Sequence, residues 1–99
     1  MKLIIAIVRP FTIDRLVVAL EDIKNFPGIT VTDSEGFSQR LRSTDHDPLD
    51  PFKPYKRIEI ACNDEIVEPI IDAIRQHAHT GKKGDGIIFV LPVEQSETI

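Results

Sequence analysis

The stretch KRIEIACNDEIVEPIIDAI, residues 56–74, carries two different hydrophobic periods in succession. Its first seven residues alternate, with Ile58 and Ile60 on one face, which is typical of a β-strand. Asn63 is then a good N-cap, and the apolar residues that follow it recur at helical spacing. The stretch therefore predicts a strand that leads directly into an amphipathic helix. The core stripe of that helix consists of Ile66, Ile70 and Ile74.

The segments on either side extend this pattern. Pro69 lies past the first turn expected of the helix, so it should remove a hydrogen bond or kink it. Gly81 is a suitable residue to end the helix, and GIIFVLPV, residues 86–93, predicts a last strand. Towards the N-terminus, residues 2–9 predict a first strand that Pro10 bounds. A first helix with Leu16, Val17, Leu20 and Ile23 on one face and a second strand in residues 28–37 follow.

The predicted order is therefore β-α-β-β-α-β in a single domain, residues 1–99. With two helices on one face of a four-stranded antiparallel sheet, this is the ferredoxin-like α+β arrangement. Residues 38–55 contain three prolines and no sustained period, which predicts one long loop. Loops of this length in a compact domain are usually functional or disordered.

Composition excludes several classes of protein. A net charge of −4 argues against a general nucleic-acid binder. No apolar stretch approaches the roughly 18 residues needed to span a membrane, and residues 1–10 do not fit a signal peptide. The single cysteine, Cys62, cannot form an internal disulfide, which suits a reducing cytoplasm. We therefore expect a cytoplasmic protein that neither spans a membrane nor binds nucleic acid.

The segment HTGKKGDGIIF, residues 79–89, is rich in glycine and lysine, as phosphate-binding turns are. It matches neither a Walker A loop nor a dinucleotide fingerprint, since Ile87 and Ile88 follow Gly86. It also runs from helix to strand, whereas both of those motifs run from strand to helix. From the spacing alone, a helix end followed by a plain turn is the favoured interpretation. The alternative is a phosphate site built from backbone N–H groups and lysine side chains.

Three segments together resemble the PII signal-transduction family: residues 1–20, 28–37 and 56–94. The most specific is TGKKGDGIIFV, residues 80–90, which is similar to the family's TGK-x-GDG-x-IFV signature. The resemblance implies a homotrimer of ferredoxin-like subunits that binds adenine nucleotides between neighbouring subunits. It also implies a regulator rather than an enzyme, with no required cofactor. A T-loop, here about residues 38–55, would dock on a target such as a membrane transporter or an enzyme.

The resemblance also implies which residues bind the nucleotide. The adenosine pocket would be lined by Ile7, Thr30, Glu59 and Ala61. The phosphates would lie between the base of the T-loop and the glycine turn. The residues of that phosphate region are Gly36, Phe37, Ser38, Gln39, Lys82, Gly84, Asp85, Gly86 and Ile87.

Departures from the family pattern shape the expected ligands. Ile87 replaces a basic residue after GDG, the arginine of the loop base has moved to Arg40, and Tyr55 stands where a lysine often serves. Fewer phosphate-directed cations should favour ADP or AMP over ATP, because each charge-assisted hydrogen bond contributes roughly 1.5–3 kcal/mol. The same departures argue against 2-oxoglutarate sensing. Bicarbonate is then a reasonable second ligand, with Arg40, Lys56 or Arg57 as its partners.

Other classes of function remain open from the sequence. A metal-responsive ferredoxin-like trimer, linked to metal tolerance or efflux, has the same scaffold, and His46, His77 and His79 are its candidate ligands. An acylphosphatase-like enzyme has this size and strand order, but its phosphate loop needs glycine after the first strand. An RNA-recognition domain needs a basic face with exposed aromatic residues.

Overall fold

A computed structural model describes residues 1–37, 51–82 and 84–99. Four strands and two α-helices occur in these ranges, and short 3-10 turns at Pro10–Thr12 and Asp64–Ile66 precede the helices. Their order confirms the predicted β-α-β-β-α-β layout. The elements are β1 (Lys2–Val8), α1 (Ile13–Glu21), β2 (Thr30–Gly36), β3 (Lys53–Cys62), α2 (Val67–Ala78) and β4 (Gly86–Pro92).

The four strands form one antiparallel sheet in the order β2-β3-β1-β4. Val8, at the end of β1, pairs with Lys56 of β3 and with Gly86, the first residue of β4. Gly36, at the end of β2, pairs with Lys53, the first residue of β3. The ends of β1 and β2 and the starts of β3 and β4 therefore lie at one edge of the domain, which we call the turn end. This is the ferredoxin-like fold that the sequence predicts.

The hydrophobic core lies between the sheet and the two helices, which contact each other over one face of it. Alternate residues of β1 and β3 are buried there, as strand geometry requires. Leu16 and Leu20 of α1 and Ile70 and Ile74 of α2 fill the opposite side and are almost fully buried. The core residues contributed by the two central strands are Ile4, Ala6, Val8, Ile58, Ile60 and Cys62.

Several predicted boundaries are wrong. The strand β3 begins at Lys53, so the predicted loop ends three residues earlier than residue 55. The side chain of Asn63 caps no helix, and α2 begins at Val67 after a 3-10 turn. Pro69 consequently lies in the first turn of α2, where a missing N–H breaks no helical hydrogen bond.

The helix α2 also ends earlier than predicted. Its last residue is Ala78, and His79 is already extended, with φ −76° and ψ 127°. Gly81, expected to be the helix-ending glycine, has a φ of 82° but belongs to the turn that follows. The chain thus leaves the helix through an extended residue before it enters the glycine-lysine segment.

Candidate functional site

The turn end of the sheet gathers most of the residues predicted to contact phosphate. Gly36 ends β2 and Phe37 follows it, and Lys82 and Gly84 lie in the turn before β4. Ile7, predicted to contact the adenosine, lies next to the end of β1. Ile7 pairs directly with Ile87, so the first apolar residue of β4 is its neighbour. These elements meet because antiparallel strands alternate in direction, which brings two strand ends and two strand starts to one edge.

Asp85 organises the glycine-lysine turn from inside. Its carboxylate accepts hydrogen bonds from the Thr80 N–H at 2.7 Å, from the Gly81 N–H at 3.2 Å and from the Thr80 hydroxyl. The Arg9 Nε lies 3.3 Å from Asp85 Oδ1, and the His79 Nδ1 lies 3.6 Å from Oδ2. The carboxylate therefore joins the end of β1 to both sides of the turn.

The charge of Asp85 is set by these neighbours. Partial burial raises the pKa of its carboxyl, but the hydrogen bonds from Thr80 and Gly81 and the positive charge of Arg9 outweigh that effect. Together they hold the pKa of Asp85 below its ordinary value. Asp85 thus stays ionised at neutral pH and keeps its acceptor oxygens turned towards the protein.

Gly86 begins β4 at a position where only glycine fits. Its φ is 139°, which disfavours any residue with a side chain. A Cβ at this position would collide with the backbone carbonyl of Ile7 on the paired strand. The glycine therefore permits the close approach of β1 and β4 just where the turn ends.

Tyr55 is a site residue that the sequence analysis assigned no role. Its side chain is only 8% exposed, and its hydroxyl donates a hydrogen bond to the Gly84 carbonyl oxygen at 3.0 Å. A Cβ at Gly36 would lie 3.2 Å from two carbons of the Tyr55 ring, so the ring packs closely against the end of β2. A buried aromatic with a polar tip at the start of β3 was the available signal, but the predicted loop included it.

The residues predicted to line the adenosine pocket are divided within one chain. Ile7 pairs with Arg57 of β3, two residues from Glu59, so these two predicted residues are near each other. Thr30 pairs with Glu59 on β2, the edge strand opposite β4 and the glycine turn. Ala61 lies five residues along β3 from Lys56, the residue level with Gly86, or about 17 Å along a strand. A single chain therefore does not bring Thr30 and Ala61 to the glycine turn.

Cations around the turn end fall into two groups. Lys56 is ion-paired with Asp33, and the Arg57 Nε lies 3.5 Å from Glu59 Oε1, so an added anion would compete with a carboxylate at either residue. A different set borders an open cavity of about 520 Å³ between the end of β1 and the start of β3. Its lining includes the cations Arg9, Lys53 and Lys82, together with Pro10, Phe11, Pro54 and Tyr55.

The remaining predicted residues lie partly within the described ranges and partly outside them. Ser38, Gln39, Arg40 and His46 lie outside the described residues. The His77 carbonyl accepts a hydrogen bond from Arg15 Nε at 2.7 Å, and His79 lies beside Asp85. No group of three or more His, Cys, Asp or Glu side chains with metal-binding geometry occurs in residues 1–37, 51–82 and 84–99.

Two further features concern the burial of Cys62 and the length of the helices. Cys62 is 2% exposed at the end of β3, and this burial raises the pKa of its thiol, with a further increase from Asp64. It therefore packs as a small apolar side chain. None of the helices within the described ranges is long and apolar enough to cross a membrane.

Comparison with known proteins places this fold and turn in a family. The family model described as nitrogen regulatory protein P-II matches residues 1–99. The nitrogen regulatory protein P-II of Azospirillum brasilense is 42% identical over 99 residues, covering 96% of this chain and 88% of the relative. The proteins of that name from Bradyrhizobium diazoefficiens and Rhodospirillum rubrum are each 40% identical, over 97% of this chain and 88% of the relative. The chain is thus a member of the nitrogen regulatory protein P-II family.

Proposed function

We propose that this regulator binds ADP or AMP between neighbouring copies of itself and controls a target protein through its T-loop. The observation that supports a shared site is the division of the predicted pocket within one chain. The glycine turn precedes β4, one edge strand of the sheet, whereas Thr30 lies on β2, the opposite edge strand. Two copies packed side by side would bring the two halves of the pocket together.

A trimer is supported by the face of the sheet opposite α1 and α2, which we call the open face. On it, cross-strand register pairs Leu3 with Leu91, Ile5 with Phe89 and Ile7 with Ile87. Phe89 is 48% exposed and Ile87 is 51% exposed. Contiguous apolar surface of this kind marks an association site, and a chain of 99 residues gains stability by burying it.

The glycine turn supplies the groups for phosphate. Backbone N–H groups of Gly84, Asp85 and Gly86 and the exposed Lys82 are the proposed donors. The carboxylate of Asp85 is engaged by Thr80, Gly81 and Arg9, so it supports the turn rather than facing an anion. Because Ile87 supplies no charge after this turn, we expect ADP or AMP to bind more tightly than ATP.

A small anion such as bicarbonate has a suitable place beside the turn. The cavity lined by Arg9, Lys53 and Lys82 gathers three cations, one of which, Arg9, also faces Asp85. We favour it over Lys56 and Arg57, because each of those two faces a carboxylate of its own. Arg9 also pairs with Asp85, so an anion bound in this cavity would change the contacts that hold the glycine turn. A cytoplasmic transporter domain or enzyme is the proposed target of the T-loop.

Calorimetric titration tests the nucleotide and the assembly together. We expect wild-type protein to be a trimer by light scattering and to bind ADP and AMP more tightly than ATP. Phe89→Glu, which places a charge on the open face, should give monomers that no longer bind ADP. Val18→Glu is the matched control, because Val18 is 63% exposed on α1.

Two results would reject this function. One is a wild-type trimer that takes up no adenine nucleotide, and the other is ADP binding by the Phe89→Glu monomer as tight as that of the wild type. Titration with zinc and copper in parallel addresses the metal-responsive alternative, which would bind metal and ignore nucleotides. Hydrolysis of an acylphosphate substrate would instead indicate an enzyme.

A further inference from the structure

Tyr55 connects three parts of the turn end that are far apart in sequence. It belongs to β3 and is paired in register with Ser34 of β2. Its ring packs on Gly36, and its hydroxyl donates to the Gly84 carbonyl oxygen at 3.0 Å. The hydrogen bond crosses 29 residues of sequence and is partly buried, so it is a tertiary link rather than a local turn contact.

The hydrogen bond from Tyr55 to the Gly84 carbonyl oxygen affects the direction of the next backbone donor, the N–H of Asp85. The C=O of Gly84 and the N–H of Asp85 belong to the same peptide group, which is planar and trans. The two bonds therefore point in opposite directions, and holding the carbonyl oxygen also fixes the direction of the Asp85 N–H. Gly84 has a φ of 82°, and a glycine restricts this peptide less than any other residue would.

We propose that Tyr55 is a positioning residue that orients the Gly84–Asp85 peptide so that its N–H is presented to an anion. The carboxylate of Asp85 secures the turn by holding Thr80 and Gly81, and Tyr55 secures the peptide on the other side of Asp85. The contacts of the Asp85 carboxylate fix the position of the turn, and the contact of Tyr55 fixes the direction of the Asp85 N–H. This role rests on the proposed binding of nucleotide phosphate at the turn.

Tyr55→Phe tests the role because it keeps the ring on Gly36 and removes only the hydroxyl. Ser34→Ala is the matched control: the Ser34 hydroxyl donates to the Tyr55 carbonyl oxygen at 3.5 Å and does not reach the turn. In the nucleotide-free protein, we expect Tyr55→Phe to move the NMR shifts of the Gly84 carbonyl carbon and the Asp85 amide. Ser34→Ala should leave both shifts in place. Unchanged shifts in Tyr55→Phe, or equal changes in the two variants, would overturn the proposal.

Ligand binding separates positioning from general support of the fold. Tyr55→Phe should weaken ADP binding by about threefold to tenfold, as expected for loss of one hydrogen bond. It should leave the affinity for adenosine, which carries no phosphate, unchanged. Equal weakening of ADP and adenosine would show that the hydroxyl serves only the fold and would contradict the proposal.

Two other results need separate treatment: wild-type protein that binds no ADP, and a Tyr55→Phe variant that does not fold. If wild-type protein binds no ADP, the proposed function fails, and the shifts of the nucleotide-free variants alone decide whether Tyr55 orients the peptide. If Tyr55→Phe does not fold, 3-fluorotyrosine can be incorporated instead, since Tyr55 is the sole tyrosine of the sequence. Its single fluorine resonance should shift with ADP and not with adenosine, and a resonance that ignores ADP would contradict the role.

Discussion

Asp85 shows how a carboxylate can belong to a proposed anion-binding turn without facing the anion. A carboxylate that faced a phosphate would repel it, but here the oxygens face Thr80, Gly81 and Arg9. The side chain is 19% exposed, so its hydrogen bonds are partly shielded from water. The charge of Asp85 is thus directed away from the backbone N–H groups that we propose as anion donors.

The pH dependence of stability should report this arrangement. Because the pKa of Asp85 is lowered in the fold, its contribution is complete above the unfolded value of about 3.9 and is lost as the pH falls through the folded value. Asp85→Asn should cost about 1–3 kcal/mol of unfolding free energy at neutral pH, because it removes the acceptor oxygen and the ion pair.

Urea unfolding of both proteins over a range of pH is the measurement. The difference between wild type and Asp85→Asn should narrow below about pH 4. Asp64, whose pKa is lowered by its hydrogen bond to the N-terminal amine, titrates in both proteins and cancels from the difference. A difference that stays constant from neutral pH to strongly acidic pH would contradict the assigned role of Asp85.

At the residue scale, the sequence predicted the turn but not what holds it. The GDG pattern indicated where backbone donors cluster, because glycine spacing is readable from the chain. The partners of the turn are Arg9, which follows β1, and Tyr55 of β3, and nothing in the sequence pairs them with Asp85 and Gly84. Such contacts depend on strand register, which is fixed only when the sheet forms.

At the scale of elements, type and order were predictable and boundaries were not. Strand alternation in residues 56–62 and the apolar stripe of α2 are periodic signals, and both are confirmed. The predicted start of β3 was wrong because Pro54 and the prolines before it are typical of a loop. The strand tolerates Pro54 because β1 pairs with β3 only as far as Lys56, so at Pro54 the strand has a partner strand on one side, β2, and not on the β1 side.

The junction of the turn with β4 yields a prediction about Gly86. Gly86→Ala should destabilise the protein because alanine both strains the backbone at a φ of 139° and collides with the Ile7 carbonyl. Gly28→Ala is the control, since Gly28 has a φ of 129° with no atom near the added Cβ. Backbone strain alone costs about 1–3 kcal/mol, so Gly86→Ala should exceed the control by a measurable margin in thermal unfolding. Equal decreases in the thermal stability of the two variants would show that β1 and β4 can move apart at Gly86 without a cost in free energy.

At the scale of the whole molecule, the open face and the divided pocket point to the same assembly. Leu3, Ile5 and Phe89 leave apolar surface on the side of the sheet opposite the helices. The same side carries Thr30, which lies on β2, the edge strand farthest from the glycine turn of its own chain. Assembly would cover this apolar surface and would bring Thr30 of one copy to the glycine turn of its neighbour. The stability of the assembly and the binding of the ligand would therefore depend on the same interface.

The most direct test of a site between copies is complementation in mixed trimers, measured by calorimetric titration with ADP. Lys82→Glu should block the turn half of the pocket by charge, and Ala61→Trp should block the sheet half by bulk. Neither variant alone should bind ADP, although each should remain a trimer. After unfolding and refolding together in equal amounts, about a quarter of the interfaces should join two intact halves and bind ADP with wild-type affinity. A mixture that stays inactive, or a single variant that binds as well as wild type, would contradict a nucleotide site shared between neighbouring chains.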